Sequence, residues 1–481
     1  MTNFGGDASP VTAPLATMHA APSWRAVFAS FHVFNFRLSF IGGLSNSIGG
    51  WMARIAIDWL IFELTGSVAA VGLTVALQFA PMLLLAPWAG VISDRSSRRR
   101  TLIITSSLAT AAITLLALLV LTDLVEVWQV YAIAAFTGVA SAIDAPSRSA
   151  FISEVVGTER LRNAISLNAM TFHFGGLIGP AVSGILISLV GSGWSIAVNA
   201  ATSAVALVTL CCMRRRELLP VHRQTRATGQ IREAVAYAAR KPTIVWPLIL
   251  LVFVTVFGMQ LPVLLTAAAS PGGFDTGSAG YGLYSSMAAV GAFVGAFVSA
   301  GRSFLRLRSL VTAVFVYGAL TALCGLAPAS VFFLAGIIGA SAMRVTFNVS
   351  ADAMVQLSSR ATIRGRVVSL WIMVFSAGQA LGGPLMGWIA ETFGVTVAFL
   401  VAGGAPAIAA LTVGCVLARR GRLRLRVDVR SPRRLVTIVR RCDQPAPEAR
   451  TRPKADRAAR GKGRWHGARR RHASATPPRS E

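Results

Sequence analysis

The sequence is poor in charged residues, and acidic residues are the scarcest of them. Only 14% of its 481 residues are charged, and 19 Asp and Glu stand against 46 Lys and Arg. A soluble domain of ordinary composition carries about 25% charged residues. Hydrophobic residues make up 54% of the chain, and the mean hydropathy is +0.62. Because so weakly charged a surface cannot all face water, the composition predicts a protein that crosses a membrane several times.

The signatures of several other protein classes are also missing. The sequence has no Gly-x-x-x-x-Gly-Lys-Ser/Thr phosphate loop, so we expect no direct use of ATP. It has no zinc-spaced His/Glu cluster and no nucleophile elbow, so we expect no enzyme activity, no cofactor and no metal site. Its five cysteines lack framework spacing and predict no disulfides. The polar first 24 residues do not resemble a secretory signal peptide.

Long apolar windows predict an all-α membrane protein with twelve transmembrane helices. The predicted spans are residues 38–63, 69–93, 101–122, 128–149, 163–190, 194–213, 243–268, 279–301, 309–328, 330–353, 366–389 and 395–418. Lys and Arg fall in alternate loops: 21 lie after the even-numbered predicted helices 2 to 10, and 21 follow helix 12. The other loops between spans contain none. Because basic loops stay in the cytoplasm, both termini are predicted to be cytoplasmic.

These features divide the chain into five segments. They are an N-terminal cytoplasmic segment with an interfacial helix (1–37), a six-helix half (38–213), a cytoplasmic central loop (214–242), a second six-helix half (243–418) and a basic tail (419–481). The central loop contains IREAVAYAARKP, which predicts a short interfacial helix. The formal net charge of +27 lies on the cytoplasmic loops and tail, so it predicts topology and not nucleic-acid binding. The tail is predicted to be disordered, and it either contacts anionic lipid or is only solvated.

The two halves resemble each other in sequence. LRNAISLN (161–168) leads into GGLIGPAVSG (175–184), and IRGRVVSL (363–370) leads into GQALGGPLMG (378–387). In both, basic residues at a helix start are followed by a Gly-Pro pair and a further glycine. A pseudo-repeat of six helices is typical of secondary transporters, whose substrate lies near the midplane between the halves.

The segment GVISDRSSRRRTL (90–102) resembles the major facilitator superfamily signature Gly-x-x-x-Asp-Arg-x-Gly-Arg-Arg-x-x-Leu. The matching residues are Gly90, Asp94, Arg95, Arg98, Arg99 and Leu102, whereas Ser97 stands where glycine is usual. WMARIAIDWLIFELTGS, DAPSRSAFISEVV and SAGYGLYSSMAAVGAFVGA are similar to the enterobactin-exporter and macrolide-efflux branch. The resemblance covers about 38–418 and implies the superfamily fold, alternating access, and a cavity lined by helices 1, 4, 7 and 10.

The signature predicts a gate on the cytoplasmic side. Asp94, at the end of helix 2, is expected to accept hydrogen bonds from free N–H groups at the start of helix 11, near Arg366, where the helix dipole favours an anion. Arg98 is expected to reach Asp144 at the end of helix 4. These contacts would join the two halves, and the resemblance implies the same role. The alternative is that the charges only fix topology.

Helix 5 carries a segment that resembles the Gly-Pro motif of superfamily antiporters. Gly175, Gly179 and Gly184 are expected to let a neighbouring helix approach closely, and Pro180 is expected to kink the span. Ordinary small-residue packing explains the pattern equally well.

Ionisable residues inside predicted spans are the candidate coupling and substrate residues, because such groups are costly in a membrane without a partner or cavity. Arg54 and Asp58 are four residues apart on helix 1, so they share a face and can pair. Asp58 is the candidate proton-coupling carboxylate, with a static ion pair as the alternative. Arg344 in helix 10 attracts an anionic substrate group, pairs with Asp58 across the cavity, or lies near water. His173 either relays protons or is structural, and Glu63 and Glu391 are expected to be solvated at the outer surface.

The sequence thus predicts a monomeric, proton-coupled exporter of a small lipophilic compound, such as a drug, macrolide or siderophore, in the cell membrane. An importer or lipid flippase on the same fold, or a membrane scaffold that transports nothing, remains the alternative.

Overall fold

The computed structural model describes residues 15–16, 29–95, 97–219, 230–300, 304–360, 363–420, 423–427 and 436–440. The chain divides into two units, Met1–Gly421 and Arg422–Glu481. In the second unit, strands β3 (Leu423–Val427) and β4 (Val436–Arg440) pair antiparallel, within the tail for which the sequence predicts disorder. The alternation of Leu or Val with Arg in β3 matches the two-residue period of a strand.

The first unit is a helical bundle. Its helices are α1 (Phe34–Thr65), α2 (Val68–Arg95), α3 (Arg98–Leu121), α4 (Val127–Gly157), α5 (Asn163–Val190), α6 (Ser192–Cys212), α7 (Gln230–Arg240), α8 (Pro242–Phe253), α9 (Leu261–Ala269), α10 (Gly277–Ala300), α11 (Leu307–Cys324), α12 (Ser330–Ser358), α13 (Arg364–Phe393) and α14 (Val395–Arg420). One-turn 3-10 helices cover Ala29–His32 and Arg215–Glu217. Two short strands, β1 (Leu15–Ala16) and β2 (Phe304–Leu305), pair antiparallel.

Eleven of the described helical segments are long and apolar enough to cross a membrane. They match predicted spans 2 to 12 in order. The first long helix, α1, has 32 residues, which is more than a bilayer requires, but it is not among the eleven. It carries Arg37, Arg54, Asp58 and Glu63 among its apolar residues. The count of twelve spans therefore stays a prediction.

Two spans differ from uninterrupted helices. α4 and α5 run on as one helical stretch, Val127–Val190, that bends at Gly157, where φ is 71° and ψ is −178°. Only glycine adopts this conformation without strain. The span predicted at 243–268 is broken into α8, a π-helical segment (Val254–Gly258) and α9. Such π-helical segments open the regular hydrogen-bond ladder and occur often at functional sites.

The same helix pairings occur in both halves of the bundle. α2 packs on the α4–α5 stretch and α3 on α6, and correspondingly α10 packs on α12 and α11 on α14. Glycines support these pairings, because a side chain at Gly138 would meet the backbone of α2 and one at Gly291 would meet that of α12. The repeated pairing gives the pseudo-repeat in the sequence a structural counterpart.

Two helix pairs form the most extensive contacts between the halves. α2 packs on α13, where a Cβ on Gly72 would lie 2.3 Å from the carbonyl oxygen of Gly383, and α5 packs on α10, where Gly184 meets Gly282 at 2.5 Å. Both contacts lie toward the end of the bundle where α1 ends and α2 begins. We term this the arginine-poor end, and the opposite end, where α2 ends and α3 begins, the arginine-rich end.

The central-loop helix predicted from IREAVAYAARKP is α7. Ala234 and Ala238, on its apolar face, are buried, so part of this face packs against the protein. α7 packs against α8 and α13. Val235, expected on the same face, is 47% exposed.

Candidate functional site

Asp58 is buried at the junction of the halves. Its side chain is 1% exposed, and its Oδ1 has no hydrogen-bond partner. The next residue, Trp59, stacks on Tyr281 of α10 with ring centroids 4.9 Å apart and an interplanar angle of 23°. Asp58 is close enough for its charge to act on the Tyr281 hydroxyl. A buried carboxylate oxygen without a hydrogen-bond partner is energetically costly.

Glu63 holds Trp59 in this position. Its Oε1 accepts a hydrogen bond from Trp59 Nε1 at 2.6 Å, and its Oε2 accepts one from Ser192 Oγ at 2.9 Å. Ser192 begins α6, so the carboxylate ties the end of α1 to its own half. Glu63 is exposed, as expected, and it also makes these two hydrogen bonds.

Arg54 is close enough to Asp58 for their charges to interact, but the two described side chains form no direct salt bridge. Its guanidinium lies over the ring of Trp51 at 5.2 Å and over that of Phe79 at 4.8 Å. Phe79 in turn meets Phe375 of α13 edge to face at 6.1 Å. Arg54 and Asp58 thus interact through their charges without a direct salt bridge, and cation–π contacts with two rings hold the guanidinium.

Arg344 lies in the middle of α12, near Tyr317 of α11. Its Nε is buried and has no hydrogen-bond partner. Tyr317 is occupied elsewhere, because its hydroxyl donates to the carbonyl oxygen of Gly258 in the π-helical segment. Buried guanidinium nitrogens are normally satisfied, so Arg344 presents a cation with unused bonding capacity.

The break between α8 and α9 is tied to α13 by a buried amide. Gln260 is fully buried, and its Nε2 donates to Thr255 O at 2.8 Å and to Gln379 Oε1 at 3.0 Å. Its own Oε1 has no partner. A Cβ at Gly378 would lie 2.0 Å from Thr255 Oγ1, so the glycine lets α13 approach the break. The sequence shows Gln260 and Gln379 only as polar residues in apolar spans.

The signature residues form contacts other than those expected. Arg98 Nη1 binds Glu154 Oε1 at 3.0 Å, and Asp144 pairs with Arg148 at 2.8 Å while accepting from Thr105. The expected contact between Arg98 and Asp144 is therefore wrong. The α4 helix continues beyond residue 149, where the predicted span ends, and it carries Glu154 past Asp144. All of these contacts stay within the first half.

Two further arginines of the gate prediction are placed. Arg99 Nη2 donates to the carbonyl oxygens of Leu210 and Cys211 at the end of α6, at 3.1 and 2.8 Å. Free carbonyls at a helix end are favourable partners for a cation. Arg366 binds Glu233 of α7. The surroundings of Gly90 and the side chains of Asp94 and Arg95 lie outside what the structure describes.

α7 is attached to the second half through Tyr237 as well. The Tyr237 hydroxyl accepts from the backbone N–H of Arg360 at 3.2 Å, and Lys241 Nζ lies 5.0 Å from the Tyr237 ring. Burial raises the pKa of Tyr237, but the hydrogen bonds from Lys241 and Arg360 and their positive charges outweigh burial and lower this pKa below its usual value.

The helix-5 glycines lie against two neighbours. A Cβ at Gly175 would lie 2.2 Å from Ser47 Oγ of α1, and one at Gly179 would lie 2.8 Å from the carbonyl oxygen of Ile48. Gly184, farther along, meets α10 of the other half. Pro180 is buried inside α5. The side chain of His173 is outside the described residues.

The fold is that of a membrane transporter of the major facilitator type. The family described as transmembrane secretion effector, within the major facilitator superfamily, matches residues 25–431, and the chain belongs to it. It is therefore a multi-pass transporter and not an enzyme.

Individual relatives and structures are consistent with this membership. The chain is 24% identical over 382 residues to the uncharacterized MFS-type transporter YfiS of Bacillus subtilis, covering 74% of this chain and 87% of YfiS. It is 25% identical over 382 residues to the enterobactin exporter EntS of Salmonella typhi, covering 78% and 87%. A POT family transporter in complex with a thioalcohol-conjugated peptide shares the fold with a TM-score of 0.64 at 11% identity, covering 80% and 96%. The nucleoside transporter NupG does so with a TM-score of 0.58 at 15% identity, covering 79% and 98%.

Proposed function

We propose that the protein is a proton-coupled exporter that carries a small anionic, lipophilic compound out of the cell. The observation that carries the proposal is Asp58, a carboxyl group buried at the junction of the two halves with one oxygen unpartnered. Protonation removes the charge that makes this burial costly. Closing the junction around Asp58 is therefore linked to uptake of a proton from outside. Release of this proton toward the cytoplasm leaves a buried charge, which favours reopening of the junction.

The orientation is part of the proposal. Arg98 and Arg99 lie at one end of the bundle, and the loops at the other end carry no Lys or Arg. By the positive-inside rule the arginine-rich end faces the cytoplasm, and the arginine-poor end faces outward. The halves are in contact near the arginine-poor end, so the structure corresponds to a state closed toward the outside.

The cargo class follows from the charges within the spans. Arg54 and Arg344 are cations that form no direct salt bridge within the described part of the chain, and Asp58 lies one helical turn from Arg54. The aromatic rings of Trp51 and Phe79 lie beside Arg54. Two cations and one titratable acid beside aromatic rings suit an anionic, aromatic or lipophilic molecule. The similarity to an enterobactin exporter supports a siderophore-like cargo.

Transport in inside-out vesicles tests the coupling. A pH gradient, acidic inside, is applied, and uptake of a panel of siderophores, macrolides and lipophilic dyes is measured. We expect gradient-dependent uptake of at least one compound, and we expect Asp58→Asn to abolish it. Asp123→Asn is the matched control, since Asp123 lies in the loop after α3, away from the junction, and its uptake should equal that of the wild type.

Each other outcome contradicts a stated part of the proposal. Flux that survives Asp58→Asn undiminished refutes the site. Net movement in the opposite direction identifies an importer, and movement of a lipid probe alone identifies a flippase. If no compound moves and a cellular phenotype depends on the tail but not on Asp58, the protein is a scaffold.

Variants of Arg344 test separately whether the cargo is anionic. Arg344→Gln removes a charge-assisted hydrogen bond of about 1.5–3 kcal/mol, so the KM for an anionic cargo should rise about 10- to 150-fold. Arg344→Lys keeps the charge and should lose less. A KM unchanged in Arg344→Gln shows that this guanidinium does not bind the cargo.

A further inference from the structure

The last turn of α13 contacts the first turn of α2 across the two halves. Glu391 Oε2 accepts a hydrogen bond from Ser67 Oγ at 2.8 Å and another from the backbone N–H of Ala69 at 3.0 Å. α2 begins at Val68, so the Ala69 N–H is one of the N–H groups that a helix start leaves without an intrahelical partner. A carboxylate from the second half therefore caps a helix of the first half.

Glu391 is the end of a stripe along α13. Gly383, Gly387 and Glu391 are spaced four residues apart and so lie on one helix face. A Cβ at Gly387 would lie 2.9 Å from Ala69 Cα, and one at Gly383 would lie 2.5 Å from the carbonyl oxygen of Gly72. The two glycines bring the helices close enough for the carboxylate to reach the backbone of α2. We term these contacts the outer seam.

Ser67 links the carboxylate to the rest of the helix start. Its Oγ donates to Glu391 and accepts from the backbone N–H of Ala70 at 3.2 Å. Two N–H groups of the first turn of α2 are thus satisfied, one by Glu391 directly and one through Ser67. The negative charge also lies at the positive end of the α2 dipole.

We propose that Glu391 is a gating residue that holds the outward side of the transporter closed. The contact exists only while the outer seam is closed, and its hydrogen bonds lie at the exposed surface, so water can hydrate the separated groups. Its contribution is therefore modest and reversible, as a contact that must break in every transport cycle requires. The proposal depends on the orientation proposed above and on neither the proton coupling nor the cargo.

The test measures opening of the seam and not transport. Val71 is fully buried, one turn into α2. In a full-length chain whose native cysteines are replaced by serine or alanine, Val71→Cys reports opening through its reaction rate with a membrane-impermeant maleimide added to whole cells. Loss of a helix cap typically changes an equilibrium about five- to thirty-fold, so Glu391→Ala should raise the rate by that factor.

Further variants separate charge from hydrogen bonding. Glu391→Gln keeps an acceptor and loses the charge, so it should raise the rate about two- to fivefold. Ser67→Ala removes one partner and should fall between these variants. Asp123→Asn, which removes a charge at the same end, and Thr392→Ala, which loses only a bond to Trp388 O in its own helix, are matched controls and should leave the rate unchanged.

Two results would overturn the proposal. One is a labelling rate in Glu391→Ala that equals the wild type, and the other is an equal increase in Asp123→Asn. Asp123→Cys checks the orientation, since it should react from outside. If it reacts only in inside-out vesicles, the orientation is wrong, and the same comparison made in those vesicles still decides whether Glu391 closes the seam. Monodisperse elution of each variant in detergent shows that it is folded.

Discussion

Gly383 lies where α13 comes closest to α2, and enlarging it should hold the outer seam open. A Cβ there would lie 2.5 Å from the carbonyl oxygen of Gly72 and 3.0 Å from Val75 Cβ. Ordinary van der Waals separation is about 3.5 Å, so the helices must move apart by about 1 Å. Overpacking of this kind costs about 1–3 kcal/mol. Because only the closed seam bears this cost, Gly383→Ala should shift the population toward the open seam by about 5- to 150-fold.

Distances between spin labels measure this shift. Leu124→Cys, in the first half, and Ala329→Cys, in the second, are exposed at the arginine-poor end and can be labelled in a chain without its native cysteines. Double electron–electron resonance should show a longer-distance population that grows in Gly383→Ala. Gly404→Ala is the matched control, because a Cβ there meets no atom within 4 Å. An unchanged distance distribution in Gly383→Ala, or the same change in Gly404→Ala, would refute the reasoning.

Two further predictions concern stability. Gly157→Ala places a Cβ in a backbone conformation with φ of 71° and 2.9 Å from Leu219 Cδ1, so it should cost about 1–3 kcal/mol and lower the Tm measured in detergent. A Tm equal to the wild type would show that the bend between α4 and α5 is not required. Arg98→Ala should destabilise the protein by about 1–3 kcal/mol, because its partner Glu154 is only 22% exposed and loses a charged contact. The double variant with Glu154→Ala should be less destabilised than the sum of the single ones, and strict additivity in this double-mutant cycle would contradict an energetic coupling.

The sequence predicts most spans because each property used is local. Eleven of the twelve spans follow from apolar windows of sufficient length, and the positions of Gly175 and Gly179 follow from the spacing of small residues on one helix face. Such features need no knowledge of a distant partner. The family signature adds the fold, since it places the motif after helix 2.

Side-chain partners could not be predicted, because they depend on tertiary distance. Arg98 lies equally well in sequence for Asp144 or Glu154, and only the continuation of α4 decides for Glu154. Arg54 has Asp58 one turn away, but its guanidinium lies over the rings of Trp51 and Phe79 and forms no direct salt bridge with the acid.

Tertiary distance also decides the break between α8 and α9 and the contacts of the outer seam, so neither could be predicted from the sequence. Nothing in the residues 254–257 breaks a helix, and the π-helical segment lies where Gly378 of α13 approaches Thr255. Glu391 shows in sequence only as an acid near a helix end, and its partner Ser67 is 324 residues away.

The antiparallel arrangement of α2 and α13 explains why one helix pair can serve both gates. α2 runs from the arginine-poor end to the arginine-rich end, and α13 runs the other way. An acid in the last turn of α13 therefore lies near the free N–H groups of α2, and the antiparallel arrangement predicts the same for the end of α2 when the arginine-rich end closes. Glu391 of α13 makes this contact with α2, and Asp94 of α2 is predicted to make the reciprocal contact with the start of α13. Because rocking of the halves that closes one end separates the other, the two contacts exclude each other. Replacing either acid should then favour the state that the other acid stabilises, and Asp94→Ala should reduce Val71→Cys labelling where Glu391→Ala increases it.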